Sequence, residues 1–507
     1  MLLLVMGALS GAWGCLHLLH HLNPPEGRTS SFVMTDTADT RLGKASQGLV
    51  KAHAGKSGVF PLVNGRDAFA ARALLADAAE RTLDIQYYIW HDDLSGGLLF
   101  AALRRAADRG VRVRLLLDDN NTPGLDGILA ELNAHPNIEV RLFNPFKFRR
   151  WRIFGYLADF GRLNRRMHNK SFTADNQATI IGGRNVADEY FAATKGTVFV
   201  DLDVLAIGPV VHDVSRDFDR YWASQSSYPA ENLLPASKPA KAAVAASALA
   251  RPGAGPYLRA VSELPLVRNL LDQTLPFEWA VTQMVSDDPA KGLGLAPDSS
   301  LLWARLREIT GMPKDEWNLI SPYFVPMAGG VDALSGLARR GVKIRVLTNS
   351  LEATDVAAVH AGYAKRRKAL LHGGVELFES KRGSATSSVR SQALAGSSGS
   401  SLHAKTFGMD RSRVFIGSFN FDPRSARLNT ELGFVIDSPV LAKRFADTLA
   451  PYLSENAYRV GLSAAGSLQW VERVDGKEII YDREPHTRWW RRAAVAVLSW
   501  LPIEWLL

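Results

Sequence analysis

Short apolar runs alternate along this chain with longer stretches in which apolar side chains recur every three or four positions. That pattern predicts strands alternating with amphipathic helices. LDIQYYI, from Leu83, and NLISPYF, from Asn318, read as buried strands, and each leads into a helical stretch such as Leu98 to Arg109. RGVRVRLLLDD, from Arg109, is answered by RGVKIRVLTNS, from Arg340, 231 positions later. Each half thus reads strand, helix, strand, a longer connection and a strand hairpin. The predicted class is α/β: two fused lobes, each a mixed β-sheet flanked by helices. The repeat is far longer than the roughly 20–50 residues of stacked arrays, so a whole α/β unit is duplicated.

The hairpins carry the chemistry. HNKSFTAD holds His168, Lys170 and Asp175, and HAKTFGMD holds His403, Lys405 and Asp410. A Gly-rich turn and an asparagine follow at one fixed distance: IIGGRN, ending at Asn185, and FIGSFN, ending at Asn420. The histidines are 235 positions apart, and so are the asparagines. A histidine and a lysine two residues apart share one face of a strand, because strand side chains alternate. A lone strand histidine is an ordinary core residue; histidine, lysine, turn and asparagine recurring together are a site.

The chain suggests a division into an N-terminal segment (1–25), a first lobe (50–227), an Ala/Pro-rich connection (228–260), a second lobe (261–485) and a C-terminal amphipathic helix (486–507). With 507 residues, 47% of them hydrophobic, the lobes can bury large cores. The net charge of +9 favours anionic partners, either nucleic acid or an acidic membrane. Cys15 is the only cysteine, so no intramolecular disulfide forms. It lies in an apolar run, residues 2–23, that reads as a secretory signal or short anchor lacking the usual positive start. Gly14-Cys15 fits the end of a lipoprotein cleavage site, except that Ala12 stands where leucine is usual.

Two further segments point to a lipid surface. PFKFRRWRIFGYLADFGRLNRRMH mixes seven cations with aromatic residues and runs directly into His168. RWWRRAAVAVLSWLPIEWLL closes the chain; its apolar run is too short to span a membrane but fits the interface, or packing on the core. The Ser/Gly-rich residues 381–401 read as a mobile loop entering His403.

A phosphodiester resists attack because its anionic oxygens repel a nucleophile. Two histidines divide that labour: one attacks phosphorus, and the other protonates the departing alcohol and deprotonates the acceptor. Two lysines and two asparagines would hold the phosphate oxygens. No Cys, His and carboxylate spacing suggests a metal site, and no cofactor is expected. A nucleophilic imidazole should donate its second nitrogen to a carboxylate. Asp201, in FVDLDVLAIGP, and Glu431, in NTELGFVI, suit that role, with Asp203 a competitor for Asp201. Asp175 and Asp410 end strands at turns (ADNQ, MDRS), where aspartate fixes the turn or pairs with a cation.

Two copies of HxKxxxxD followed by GGRN and GSFN resemble the phospholipase D superfamily, from about Gly58 to Asp482. RLNRRMHNKSFTADNQATIIGGRNVADEYF and FIGSFNFDPRSARLNTELGFVI are similar to the bacterial cardiolipin synthases, especially the C type, and LPIEWLL fits that group. The resemblance implies a bilobal fold with both motifs at one site between the lobes. It also implies metal-independent transfer of a phosphatidyl group at a bacterial inner membrane, on phosphatidylglycerol or with phosphatidylethanolamine as donor. Carried over by position, the site residues are His168, Lys170, Asp175, Asn185, His403, Lys405, Asp410 and Asn420. In relatives the first-lobe histidine is the nucleophile, which assigns His168 that role and His403 acid/base work. Synthases of other types carry two N-terminal transmembrane helices where this chain has at most one apolar segment, so peripheral, lipid or N-terminal attachment is expected. The alternatives are phospholipase D hydrolysis, a metal-independent nuclease, disfavoured by the apolar ends, and a non-catalytic membrane scaffold, disfavoured by two intact motifs.

Overall fold

The computed structural model describes residues 22, 27–194, 196–236, 243–383 and 399–507. The N-terminal segment with Cys15, residues 237–242 of the expected connection and most of the Ser/Gly-rich stretch lie outside the described residues.

The first lobe contributes β1 (Ser57–Leu62), β2 (Thr82–Tyr87), β3 (Arg112–Asp118), β4 (Ile138–Phe143), β5 (Ser171–Ala174), β6 (Ala178–Gly182), β7 (Thr197–Val200), β8 (Asp203–Ile207) and β9 (Ser227–Pro229). Its sheet runs β9-β4-β3-β2-β5-β6-β8-β1, with β2, β3 and β4 mutually parallel and the other neighbours antiparallel. The second lobe contributes β10 (Glu278–Ser286), β11 (Glu316–Ile320), β12 (Lys343–Asn349), β13 (Glu376–Ser380), β14 (Gly399–Leu402), β15 (Thr406–Met409), β16 (Arg413–Gly417), β17 (Leu432–Asp437), β18 (Ala457–Leu462), β19 (Leu468–Val474) and β20 (Lys477–Tyr481). Its sheet runs β10-β17-β16-β15-β11-β12-β13-β18-β19-β20. The parallel trio β11, β12 and β13 repeats β2, β3 and β4. This is the mixed α/β pair of lobes that the sequence predicts.

Parallel central strands are covered on both faces, which is why RVRLLLD in β3 is buried almost throughout. Even its Arg114 is buried, with its guanidinium on Asp84 at 2.7 Å and Asp219 at 2.8 Å. The two sheets are stitched by β10, whose first residues pair with β1 and whose remainder pairs with β17. Between them lies a shared core of Val59, Ile181, Val204, Val414, Leu432 and Phe434. Burying these aliphatic and aromatic groups stabilises the pairing by roughly 1.5–3 kcal/mol per side chain, before entropy is subtracted.

One boundary differs from expectation. The chain after 227 is not a linker: β9 pairs with β4, and the helices Ala243–Ala250, Ala254–Ser262 and Pro265–Leu271 pack on the first lobe. Ala248, Tyr257, Val261 and Leu275 belong to that lobe's core. At Gly97 a methyl would lie 3.2 Å from Arg251 Nε and 3.4 Å from Ala248 Cβ, so the two helices are in direct contact there. The second lobe therefore begins near β10, not at 261.

Both motif hairpins close through three residues, Asp175–Gln177 and Asp410–Ser412, the first two of each with φ from +48° to +51°. Such turns match the natural twist of paired strands. Each histidine lies three residues ahead of its strand, β5 or β15. Because β5 runs antiparallel to β2, and β15 to β11, both histidines sit beyond the carboxyl ends of the parallel strands. Open α/β sheets place ligands there.

Candidate active site

The lobes exchange backbone as well as side chains at this point. His168 N donates to Thr430 O at 2.9 Å, and Thr430 N donates back to Arg166 O at 2.9 Å. In the other direction β14 pairs in parallel with β7, and His403 N donates to Val200 O at 2.8 Å. Each histidine is thereby laid beside the other lobe's carboxylate. His168 Nδ1 lies 2.8 Å from Glu431 Oε2, and His403 Nδ1 lies 2.6 Å from Asp201 Oδ2. Both carboxylates precede a strand, Asp201 between β7 and β8 and Glu431 just ahead of β17. The competitor Asp203 is committed elsewhere, paired to Arg72 at 2.8 Å.

The glycine-rich turns explain their own difference. A Cβ on Gly183 would come within 2.1 Å of Asp201 Oδ1, so the first turn has no room for a side chain. The second turn has Ser418, whose hydroxyl donates to Glu431 Oε2, while Ser425 donates to Glu431 Oε1 at 2.7 Å. One lobe's turn leaves space for a carboxylate, and the other's clamps it.

Lys170 Nζ donates to His168 O at 2.6 Å and lies 5.4 Å from the centre of the Tyr88 ring. Lys405 Nζ lies 2.8 Å from His403 Nδ1, beside the Asp201 carboxylate. Asn185 is held by its neighbours, accepting from Ile89 N at 3.1 Å and donating to the Tyr190 hydroxyl at 2.9 Å. Asn420 is different: the far oxygen of its amide is buried with no protein partner. Asp175 and Asp410 stand apart from the rest. Asp175 accepts from the amides of Glu80, Arg81 and Thr82, and Asp410 from those of Lys314, Asp315 and Glu316. Six residues, four of them in a strand, separate each from its histidine, roughly 20 Å at strand rise. They anchor the entrances of β2 and β11.

Two aromatic residues were not singled out from the sequence. The Tyr88 ring packs edge-on to His168 with centroids 5.0 Å apart. Tyr323, 235 positions later, donates its hydroxyl to Asp355 at 2.8 Å. The same offset that relates the histidines could have found this pair.

Burial controls the charges. It pulls His168 well below the usual imidazole value, with Lys170, Lys405 and His403 adding to the effect. It also brings Lys170 down to about 7 and Lys405 to about 8. The carboxylates diverge: burial pushes Glu431 up to about 7, whereas His403 and Lys405 outweigh burial at Asp201 and hold it below the usual range. His403 itself is lowered, first by burial and then by Lys405, against the opposing pull of Asp201.

A bound phosphodiester anion favours the ammonium form of both lysines and raises their pKa values. Binding between pH 7 and 8 is therefore expected to take up protons, and affinity is expected to fall as pH rises above that window. Calorimetry with a non-hydrolysable phosphonate in buffers of different ionisation enthalpy measures this. Proton release would contradict it.

Among the described residues, His91, Asp93 and Glu189 bring ligand atoms within 4.8 Å of one another, a spatial cluster with no spacing to reveal it in sequence. Asp93 is already the N-cap of the helix Leu94–Asp108, accepting from Gly96 N at 2.9 Å.

A pair of imidazoles, each oriented by the opposite lobe's carboxylate and enclosed by lysines, joins two half-sites into one. The family described as "Cardiolipin synthase, PLD-like domain" matches residues 73–222 and 306–451. The chain belongs to that family and is an enzyme of the phospholipase D superfamily. It is 53% identical over 471 residues to cardiolipin synthase C of Escherichia coli (strain K12), covering 92% of this chain and 100% of that protein. An uncharacterized protein of Helicobacter pylori (strain J99) is 32% identical over 463 residues, 89% of each chain. The fold is similar to the crystal structure of phosphatidylserine synthase from Haemophilus influenzae Rd KW20, with a TM-score of 0.54 at 11% identity, covering 92% of this chain and all of that one.

Proposed function

We propose that the chain is a cardiolipin synthase-like phosphatidyltransferase working through a phosphohistidine without a metal. The carrying observation is the crossed pairing of His168 with Glu431 and His403 with Asp201. His168 Nε2 attacks the phosphorus of phosphatidylglycerol, and the bond to the glycerol headgroup breaks. His403 gives that oxygen its proton, releasing glycerol. The headgroup hydroxyl of a second phosphatidylglycerol then loses its proton to His403, attacks phosphorus and displaces His168. Cardiolipin leaves and both histidines are restored.

The unequal carboxylates support this division of roles. Asp201, held as an anion, stabilises the imidazolium an acid/base residue must form. Glu431, pushed up to about 7, stabilises it less and leaves His168 a neutral nucleophile. Lys170 and Lys405 face the phosphate oxygens. Phosphatidylethanolamine is an alternative donor by the same steps. Among the described residues no helix is long and apolar enough to cross a membrane, which fits attachment to an inner membrane by the surface or the N-terminal segment.

The test is incubation of the purified protein in detergent with labelled phosphatidylglycerol and EDTA. Cardiolipin plus glycerol is the expected outcome. Phosphatidic acid as the only product would make the protein a hydrolase, with water as acceptor at the same intermediate. Cleaved DNA with inert lipid would make it a nuclease, and loss of activity in EDTA would remove metal independence.

A further inference from the structure

The basic, aromatic segment ahead of His168 does not present its arginines as its sequence suggests. Arg149 binds Asp126 at 3.0 Å, Arg152 the carbonyl of Asn120 at 2.9 Å, Arg162 Asp159 at 2.6 Å and Arg166 Asp118 at 3.1 Å. With these cations turned inward, the apolar side of the helix Arg152–Ala158 and its flanks faces out. Trp151 is 59% and Ile153 63% exposed, with Phe154 and Phe160 nearly half exposed.

The C-terminal helix Trp489–Trp500 does the same. It packs inward through Val495 and Leu498 on Leu351 and Ala361. It leaves Trp489 and Trp500 74% and 85% exposed, with Trp505 beyond it also exposed. So the helix both packs and presents aromatics.

The two apolar pads occupy equivalent places. The first is tied to Asp119 and Asn120, in the loop after β3. The second rests on Leu351 and Thr354, in the loop after β12. β3 and β12 are duplicated parallel strands, and the histidines also lie beyond the carboxyl ends of such strands. The pads therefore lie on the same side of the sheets as the histidines, one from each lobe. Arg424 links them: its guanidinium donates to Asn164 O at 3.0 Å and Leu506 O at 3.1 Å, and its amide donates to Leu507 O at 2.8 Å.

We infer that these pads form one docking face for an anionic bilayer, seating the cleft mouth on the lipid surface. The charge favours this occupant. Glu504 is the only acidic side chain in residues 486–507 and is neutralised by Arg366 at 2.7 Å; Asp159, the only one in 145–168, is held by Arg162. Arg150 and Arg488 are exposed beside tryptophans. Indole beside guanidinium, free of unpaired anions, matches the headgroup region of an acidic membrane. The inference rests on the phospholipid reading only for the direction of the cleft; the binding test needs no turnover.

Full-length protein is sedimented with phosphatidylcholine vesicles, with and without phosphatidylglycerol. Binding is expected only with the anionic lipid, and brominated lipid should quench tryptophan fluorescence. Trp500→Ser with Trp505→Ser, and separately Trp151→Ser with Phe154→Ser, should each weaken partition roughly tenfold or more. Circular dichroism and thermal melting should stay at the parent level, showing that the variants fold. The Trp→Phe versions should bind nearly as the parent does. Parent-like sedimentation of both serine variants, or no quenching, would overturn the inference. A change in solution mass in place of vesicle binding would assign the face to a second copy and overturn it equally.

Discussion

His168→Ala is expected to reduce turnover of phosphatidylglycerol to background, a loss on the order of 10⁴-fold or more. No covalent intermediate forms without the imidazole, and a direct displacement would require the acceptor and donor phosphates to meet while both lysines hold only one. The substitution should leave substrate binding in place, because Lys170 and Lys405 reach the cleft independently of that ring. Its buried partner Glu431 is already pushed up to about 7, so it can protonate, and it keeps Ser418 and Ser425. Initial rates with labelled lipid, with affinity for a phosphonate measured alongside, separate chemistry from binding. Turnover within about tenfold of the parent would remove His168 as nucleophile.

His403→Ala is expected to cost about 10²- to 10⁴-fold, the range for a lost general acid/base. The loss should depend on the leaving group. A natural glycerol headgroup departs as a strongly basic alkoxide unless protonated, whereas an acidic phenol leaves without help. The variant should therefore recover much of the first half-reaction on a p-nitrophenyl phosphodiester, in a burst followed by slow turnover, because acceptor deprotonation is still missing. Absorbance of released phenolate measures this directly. Equal losses on both substrates would show that His403 does something other than proton transfer.

Much of this site was legible in the sequence because duplication writes it twice. The 235-residue offset of the histidines and asparagines is a statement about equivalent strands, and it also relates Tyr88 to Tyr323. The wiring between lobes was not legible. Nothing in NTELGFVI says that Glu431 serves the histidine of the other half, since that follows from Thr430 pairing with the backbone of Arg166 and His168, on either side of Met167. The basic segment misled for a related reason. Arg149 and Arg166 find carboxylates on Asp126 and Asp118, in elements folded beneath them, so a charge run became a buried ion-pair set with an apolar exterior. The Ala-rich stretch after 227 reads as a linker by composition, yet it lies in direct contact with the first lobe at Gly97. The motif aspartates illustrate the opposite limit: their spacing marks the family, while their three amide contacts each belong to strand anchoring.

The proposed mechanism requires imidazoles from both lobes to serve a single reacting phosphate in unequal roles. Rapid quenching of the His403→Ala protein after mixing with a p-nitrophenyl phosphodiester labelled in its phosphate, whose phenolate leaves without the general acid, tests that directly. An acid-labile, alkali-stable label confined to the peptide carrying His168 is the predicted result. No label, or label on any other residue, would contradict it.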